Sequence, residues 1–361
     1  MKASFATYWR TLASGTRNGL LDRLLITILI PLSLPYALAQ HLRAVLYRIG
    51  ILASKRLPCP VISIGNVTVG GVGKTPVTAY IARMLLAQGL KVAILSRGYG
   101  GSMEGQTAIV SDGNTVFRSA EECGDEPFLL ATTVPGVMVI IGSDRYAAGL
   151  LAIERLVPDI FLLDDGYQHL RLHRDLNILL LDYSHPFGNG CTLPAGLLRE
   201  PKSACVRADL VIQTRCPQAG TPTAPLSGAP SCNARHDLAD VIPLSGGEPL
   251  SLDSLCGRNV IAFAGIAEPQ SFFDGLRQHK VNLVASISLP DHAVYGNDQI
   301  RAIAEKLRTS GADYAITTEK DGVKLKRLPE ELAQKTLLAR LELTIDDPAP
   351  LKALLLNLLQ K

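Results

Sequence analysis

The stretch that most constrains this chain is Ser63-Ile64-Gly65-Asn66-Val67-Thr68-Val69-Gly70-Gly71-Val72-Gly73-Lys74-Thr75-Pro76. It continues the apolar run Pro60-Val61-Ile62, which reads as a buried strand. A helical pattern from 77 to about 87 follows it, with Ile81, Leu85 and Leu86 spaced to face a sheet. A strand, a glycine-rich turn and a helix opening on Gly-Lys-Thr are the context of a phosphate-binding loop. Glycines let backbone N–H groups converge on phosphate oxygens, and the helix N-terminus adds its dipole. Gly70, Gly71, Val72, Gly73, Lys74 and Thr75 are therefore the expected nucleotide-binding residues. Lys74 would reach the β- and γ-phosphates, and the Thr75 hydroxyl would sit on magnesium. The usual pattern has a further glycine where this chain has Thr68.

From 60 to about 215 the chain alternates strand-like runs (61–64, 92–96, 108–111, 137–141, 160–164, 176–181 and 210–213) with helical patterns such as 143–156. This is the grammar of an α/β fold with a doubly wound, mostly parallel sheet that binds ligands at its strand C-terminal ends. A Pro/Gly-rich stretch, 217–231, reads as a loop. A second, smaller α/β unit begins at Asn259, with strands at 281–289 and 314–317 and helices at 269–279 and 298–310. The leucine-rich helix 349–359 needs a surface to pack on. The expected order is a membrane-anchoring segment (1–56), a nucleotide-binding domain (57–215), a linker (216–257) and a C-terminal domain (258–361).

The net charge of +3 conceals an asymmetry. Residues 1–56 carry eight basic residues (Lys2, Arg10, Arg17, Arg23, Arg43, Arg48, Lys55 and Arg56) against the single acid Asp22, giving +7 and leaving −4 for the rest. No charge falls between Arg23 and Arg43, a passage close to a bilayer span in length but interrupted by Pro31 and Pro35. Basic flanks with Tyr36 and Tyr47 fit a helix or helical hairpin dipped into one leaflet, ahead of a packed core helix or a true span. An anionic membrane surface is the expected partner, and nucleic acid is not. The seven cysteines are scattered and form no C-x-x-C, which argues against a disulfide framework and a structural zinc site.

Phe161-Leu162-Leu163-Asp164-Asp165-Gly166-Tyr167-Gln168-His169 reads as a strand ending in two acids, where P-loop enzymes hold or orient magnesium. Gly124-Asp125-Glu126-Pro127 sits before an apolar helix, so Asp125 is either a capping acid or a general base. Ser96-Arg97-Gly98-Tyr99-Gly100-Gly101 is a cationic, aromatic turn, and the loop 193–201 is too apolar to be merely solvated. The Asp291-His292 pair at a strand end is either structural or catalytic.

Taken together and in order, these motifs, with Thr318-Glu319-Lys320-Asp321, resemble the tetraacyldisaccharide 4'-kinase family, the lipid A 4'-kinases of Gram-negative bacteria. The resemblance spans nearly the whole chain. It implies ATP- and magnesium-dependent phosphorylation of the 4'-hydroxyl of a tetraacylated glucosamine disaccharide 1-phosphate at the cytoplasmic face of the inner membrane. By motif, it makes Asp125 the base and His292, from the second domain, its partner. It places Asp164, Asp165 and Glu200 in or beside the metal shell and adds Tyr99, Arg145 and His169 as site candidates. A base on one domain and a histidine on the other would meet only on closure, which would limit wasteful ATP hydrolysis. The competing reading is a membrane-associated P-loop switch ATPase of the partitioning type, whose loop carries an extra lysine where this chain has Val69. A GTPase would need an [NT]-K-x-D reader, and Thr318-Glu319-Lys320-Asp321 has the wrong spacing.

Overall fold

The computed structural model describes residues 5–17, 19–217, 228–326 and 328–360; Lys2 and the 218–227 part of the expected Pro/Gly loop lie outside the described residues. The chain forms two compact units, neither contiguous. The first takes Met1–Ser96, Asp144–Arg235 and Ile345–Lys361, and the second takes Arg97–Ser143 and His236–Thr344. The alternation of strand and helix patterns groups 97–143 with the phosphate loop. In the structure that segment packs with later residues, its helix Asp125–Thr133 lying against the helix Glu319–Gly322.

The sheet of the first unit runs, edge to edge, from the start of Ser231–Pro243 through Leu210–Thr214, Leu176–Asp182, Val61–Asn66 and Ile160–Asp164 to Val92–Ser96. Every one of these pairings is parallel. Val61–Asn66 and Ile160–Asp164 are buried at every position, as continuous apolar strands must be when covered on both faces. Val61–Asn66 is central, so its C-terminal end opens beside those of two neighbours. The stretch expected as a linker contains the 13-residue strand Ser231–Pro243, and the tail helix Ala349–Leu359 buries Leu351 and Leu355.

In the second unit Asn259–Ala264 lies between Asn282–Ser288 and Tyr314–Thr318, all parallel, with Thr336–Ile345 next. Its side chains alternate. Val260, Ala262 and Ala264 pack with Phe272, Phe273 and Leu276 of one helix, while Ile261 and Phe263 pack with Ile300, Ile303 and Leu307 of another. The unit also holds an antiparallel pair, Ala108–Asp112 with Met138–Ile141.

The lipophilic segment is one helix, Leu20–Arg48, running through both prolines, so the hairpin alternative does not hold. One side of it is tied down by polar contacts. Ser33 Oγ donates to the Thr192 carbonyl (3.0 Å) and accepts from the Ala195 N–H (3.0 Å). Tyr36 donates to the Arg199 carbonyl (2.9 Å) and Arg43 to the Gln168 carbonyl (3.1 Å). Leu24, Ile28, Leu38 and Leu42 recur on the opposite face and are exposed. Only 11% of the most apolar window is buried, which removes the core-helix alternative; by length and composition the helix could cross a membrane.

Candidate active site

The phosphate loop belongs to the first unit. The helix Lys74–Leu86 starts immediately after Gly73, which takes the left-handed conformation (φ 78°) that a side chain resists. Its first-turn N–H groups lack intrahelical acceptors and carry the positive end of the helix dipole. Surrounding residues hold the loop from outside. The Thr214 hydroxyl donates to the Val72 carbonyl (2.8 Å), Arg215 donates to the Gly71 carbonyl, and the Val69 N–H donates to the Leu197 carbonyl (2.7 Å). Thr68, where the common pattern has glycine, bridges to Leu198, and its hydroxyl accepts from Asn66 Nδ2 (2.9 Å). The substitution is thus built into the support of the loop.

Asp165 meets this loop directly. Lys74 Nζ lies 3.7 Å from its carboxylate, and Arg199 binds it with both terminal nitrogens (3.0 and 2.9 Å). Arg199 also donates to the Asn66 carbonyl (2.8 Å) and to Asn66 Oδ1, which lies 3.4 Å from Lys74 Nζ. Burial pushes the Asp165 carboxyl up, but the charges of Lys74 and Arg199 outweigh it and hold it well below the usual carboxylate range. A side chain on Gly65 would sit 2.8 Å from the Tyr167 nitrogen, so glycine there lets the acidic turn approach the strand. Asp164 is buried and accepts from the Thr78 hydroxyl (3.2 Å), one helical turn beyond Thr75.

The other candidates of this unit have distinct settings. Glu200 is buried against Arg207 (2.9 Å), whose guanidinium stacks over the Tyr167 ring. Arg145, buried at the start of its helix, adds positive charge toward both Asp165 and His169. Burial, then the Arg145 and Arg174 charges, lower the His169 pKa to about 4, so its ring is neutral at pH 7. Among the described residues no cluster of three or more His, Cys, Asp or Glu forms a metal cage.

The acid–base candidates lie in the second unit. Asp125 opens the helix Asp125–Thr133 and does not cap it, since Gly124 is the N-cap. Its Oδ2 lies 3.2 Å from His292 Nδ1, and Lys324 Nζ is 3.6 Å away. Burial raises the Asp125 pKa, but the His292 hydrogen bond and then the Lys324 charge bring it below its ordinary value. The carboxylate is therefore unprotonated and partly desolvated. Tyr99 packs edge-on against the His292 ring, with centroids 5.8 Å apart. Asp125 and His292 share one compact unit, so their meeting does not wait on closure between units.

Sequence reasoning assigned no role to Asn66, Arg199, Lys320 or Lys324, although the first three stand in the quoted motifs. Arg199 carried the best signal, a cation that with Glu200 interrupts an apolar loop.

Comparison with known proteins identifies a family. The family model described as tetraacyldisaccharide-1-P 4'-kinase (LpxK) matches residues 25–360. The chain is 64% identical over 361 residues to a tetraacyldisaccharide 4'-kinase of Pelobacter propionicus, covering 100% of both chains. It is 57% identical over 334 residues to that of Geobacter metallireducens, covering 92% of this chain and 98% of the relative. A crystal structure of LpxK from Aquifex aeolicus in complex with ATP superposes with a TM-score of 0.78 at 34% identity, covering 93% of this chain and 99% of that one.

Proposed function

Because the chain belongs to the tetraacyldisaccharide-1-P 4'-kinase family, we propose that its phosphate loop and its Asp125–His292 pair together transfer the γ-phosphoryl group of ATP to the 4'-hydroxyl of a tetraacylated glucosamine disaccharide 1-phosphate in lipid A biosynthesis. The observation that carries the residue assignment is the pairing of a desolvated, ionised Asp125 with His292, in a chain that also carries a Gly-Lys-Thr phosphate loop. Lys74 and the first-turn amides bind the β- and γ-phosphates. Asp125 accepts the proton as the 4'-oxygen–phosphorus bond forms and the bond to the departing ADP oxygen breaks. His292 orients that carboxylate, and Tyr99 packs the ring in place.

Thr75, Asp164 and Asp165 would hold magnesium. A hydroxyl and two carboxylates suit this hard cation, which takes one or two carboxylates with phosphate oxygens and keeps several waters. Thr78, on the same helix face as Thr75, already contacts Asp164. The bound metal would neutralise charge on the phosphates. Glu200, engaged by Arg207, contributes by fixing the loop that presents Arg199; Arg145 shapes the field around Asp165 and, adding to burial, keeps the neighbouring His169 neutral.

The substrate class explains the exposed helix. Each buried methylene is worth about 0.8 kcal/mol, so a four-chain lipid stays in its bilayer and the enzyme must come to it. The exposed leucines of Leu20–Arg48 would enter the cytoplasmic leaflet of the inner membrane, and the basic residues near them would meet anionic headgroups.

The test supplies γ-labelled ATP and the disaccharide 1-phosphate in detergent micelles, then locates the transferred phosphate by phosphorus–proton correlation. A new phosphate coupled to the 4' proton is expected. ATP consumption without lipid labelling would favour a switch ATPase instead.

A further inference from the structure

The Thr318-Glu319-Lys320-Asp321 motif surrounds the base without an assigned part in the chemistry. Lys320 Nζ lies 3.4 Å from His292 Nε2 and 3.0 Å from Glu126 Oε1. The opposite ring nitrogen, Nδ1, faces Asp125 at 3.2 Å. An ammonium can only donate, so Nε2 beside it must present a lone pair, which leaves the ring proton on Nδ1. We propose that Lys320 is a positioning residue that fixes His292 as the neutral Nδ1–H tautomer, so that the ring donates to Asp125 and takes no second proton.

The surroundings are consistent with this assignment. Asp291 Oδ1, the other acid facing Nε2, is 3.9 Å away, beyond hydrogen-bond distance, and lies 3.8 Å from Lys320, which offsets its charge. On the Asp125 side, Lys324 approaches the carboxylate while anchored to Asp321 at 2.9 Å. Asp321 also accepts from the Gly265 N–H, and the Gly265 carbonyl accepts from the His292 N–H. His292 is thus held from both chain directions, with its backbone in the left-handed region (φ 57°). Burial lowers the Lys320 pKa, but Glu126 and Asp291 raise it above its ordinary value overall, so the ammonium persists.

A neutral ring with Nε2 opposed by a cation cannot relay the proton that Asp125 collects. It serves as a fixed donor. Without the cation, Glu126 and Asp291 would stabilise an imidazolium, and that cation would hold the Asp125 carboxylate too tightly to act as a base near neutral pH.

The inference rests on Asp125 being the base, and its test separates the two. In 15N-labelled full-length protein in micelles, the imidazole spectrum of His292 is expected to show the Nδ1–H tautomer from pH 6 to 8, in wild type and in Lys320→Arg. In Lys320→Met the ring is expected to gain a second proton within that range, and the acidic limb of kcat/KM to move up by about one pH unit or more. ATP binding checks that this variant is folded. An Nε2–H or doubly protonated ring in wild type would overturn the inference. So would a folded Lys320→Met with unmoved tautomer and limb. The expected tautomer in a protein whose Asp125→Asn variant stays active would instead refute the base assignment alone.

Discussion

Membrane docking through the exposed face of Leu20–Arg48 can be tested by replacing Leu24, Ile28 and Leu38 together with glutamine. These residues share one stripe of the helix and are 58%, 61% and 67% exposed. Complete burial of a leucine or isoleucine side chain is worth about 1.5–3 kcal/mol. Scaled to the surface each still exposes, insertion would gain about 1–2 kcal/mol per residue, or about 3–6 kcal/mol for three. An interfacial helix is only partly immersed, so the lower end applies, and vesicle binding should weaken by about 100-fold. Glutamine is a good helix former and these side chains support no internal packing, so folding should be unaffected. Co-sedimentation with vesicles containing anionic lipid measures the partition coefficient, and unfolding in urea provides the control. A loss smaller than about threefold would refute docking through this face.

Three further outcomes follow from the geometry. Ser33→Ala leaves the Ala195 N–H unpaired in a buried site, while the Thr192 carbonyl keeps its bond from the Gly196 N–H, costing about 1–3 kcal/mol less a few tenths for helix propensity; amide exchange at Ala195 should accelerate at least tenfold, and unchanged protection would contradict the account. Arg199→Lys keeps the charge but loses the two-pronged hold on Asp165, so ATP affinity should fall by about tenfold; equal affinity would count against that arrangement. His169 has a folded pKa near 4, below its unfolded value of about 6.5, so the unfolded chain binds more protons and stability falls as pH drops from about 6.5 to 4. His169→Asn should flatten the urea midpoint between pH 7 and 5, a window above that of the depressed carboxylates Asp125 and Asp165.

Local pattern was readable where one physical signal dominated. The apolar runs at 92–96 and 160–164 fall on the strands Val92–Ser96 and Ile160–Asp164, and the Gly-Lys-Thr loop lies between strand and helix as its glycines require. Ser231–Pro243 was not readable, because its Asn, Arg, His and Asp residues break the apolar alternation. The prolines of Leu20–Arg48 suggested a break that buried contacts to Thr192 and Ala195 override. The site residues that sequence gave no part, Asn66, Arg199, Lys320 and Lys324, act through partners up to about two hundred positions distant, a relation no spacing rule contains. The motifs located Asp125 and His292, but not the compact unit they share.

The central claim is a division of labour: Lys74 holds phosphate, and Asp125 takes the proton. It is tested most directly by measuring ATP affinity and phosphoryl transfer side by side in Lys74→Ala and Asp125→Asn. The account predicts that Lys74→Ala loses both, whereas Asp125→Asn binds ATP as wild type does and loses transfer by about 100-fold or more. Transfer within threefold of wild type in Asp125→Asn, or a parallel loss of ATP binding there, would contradict it.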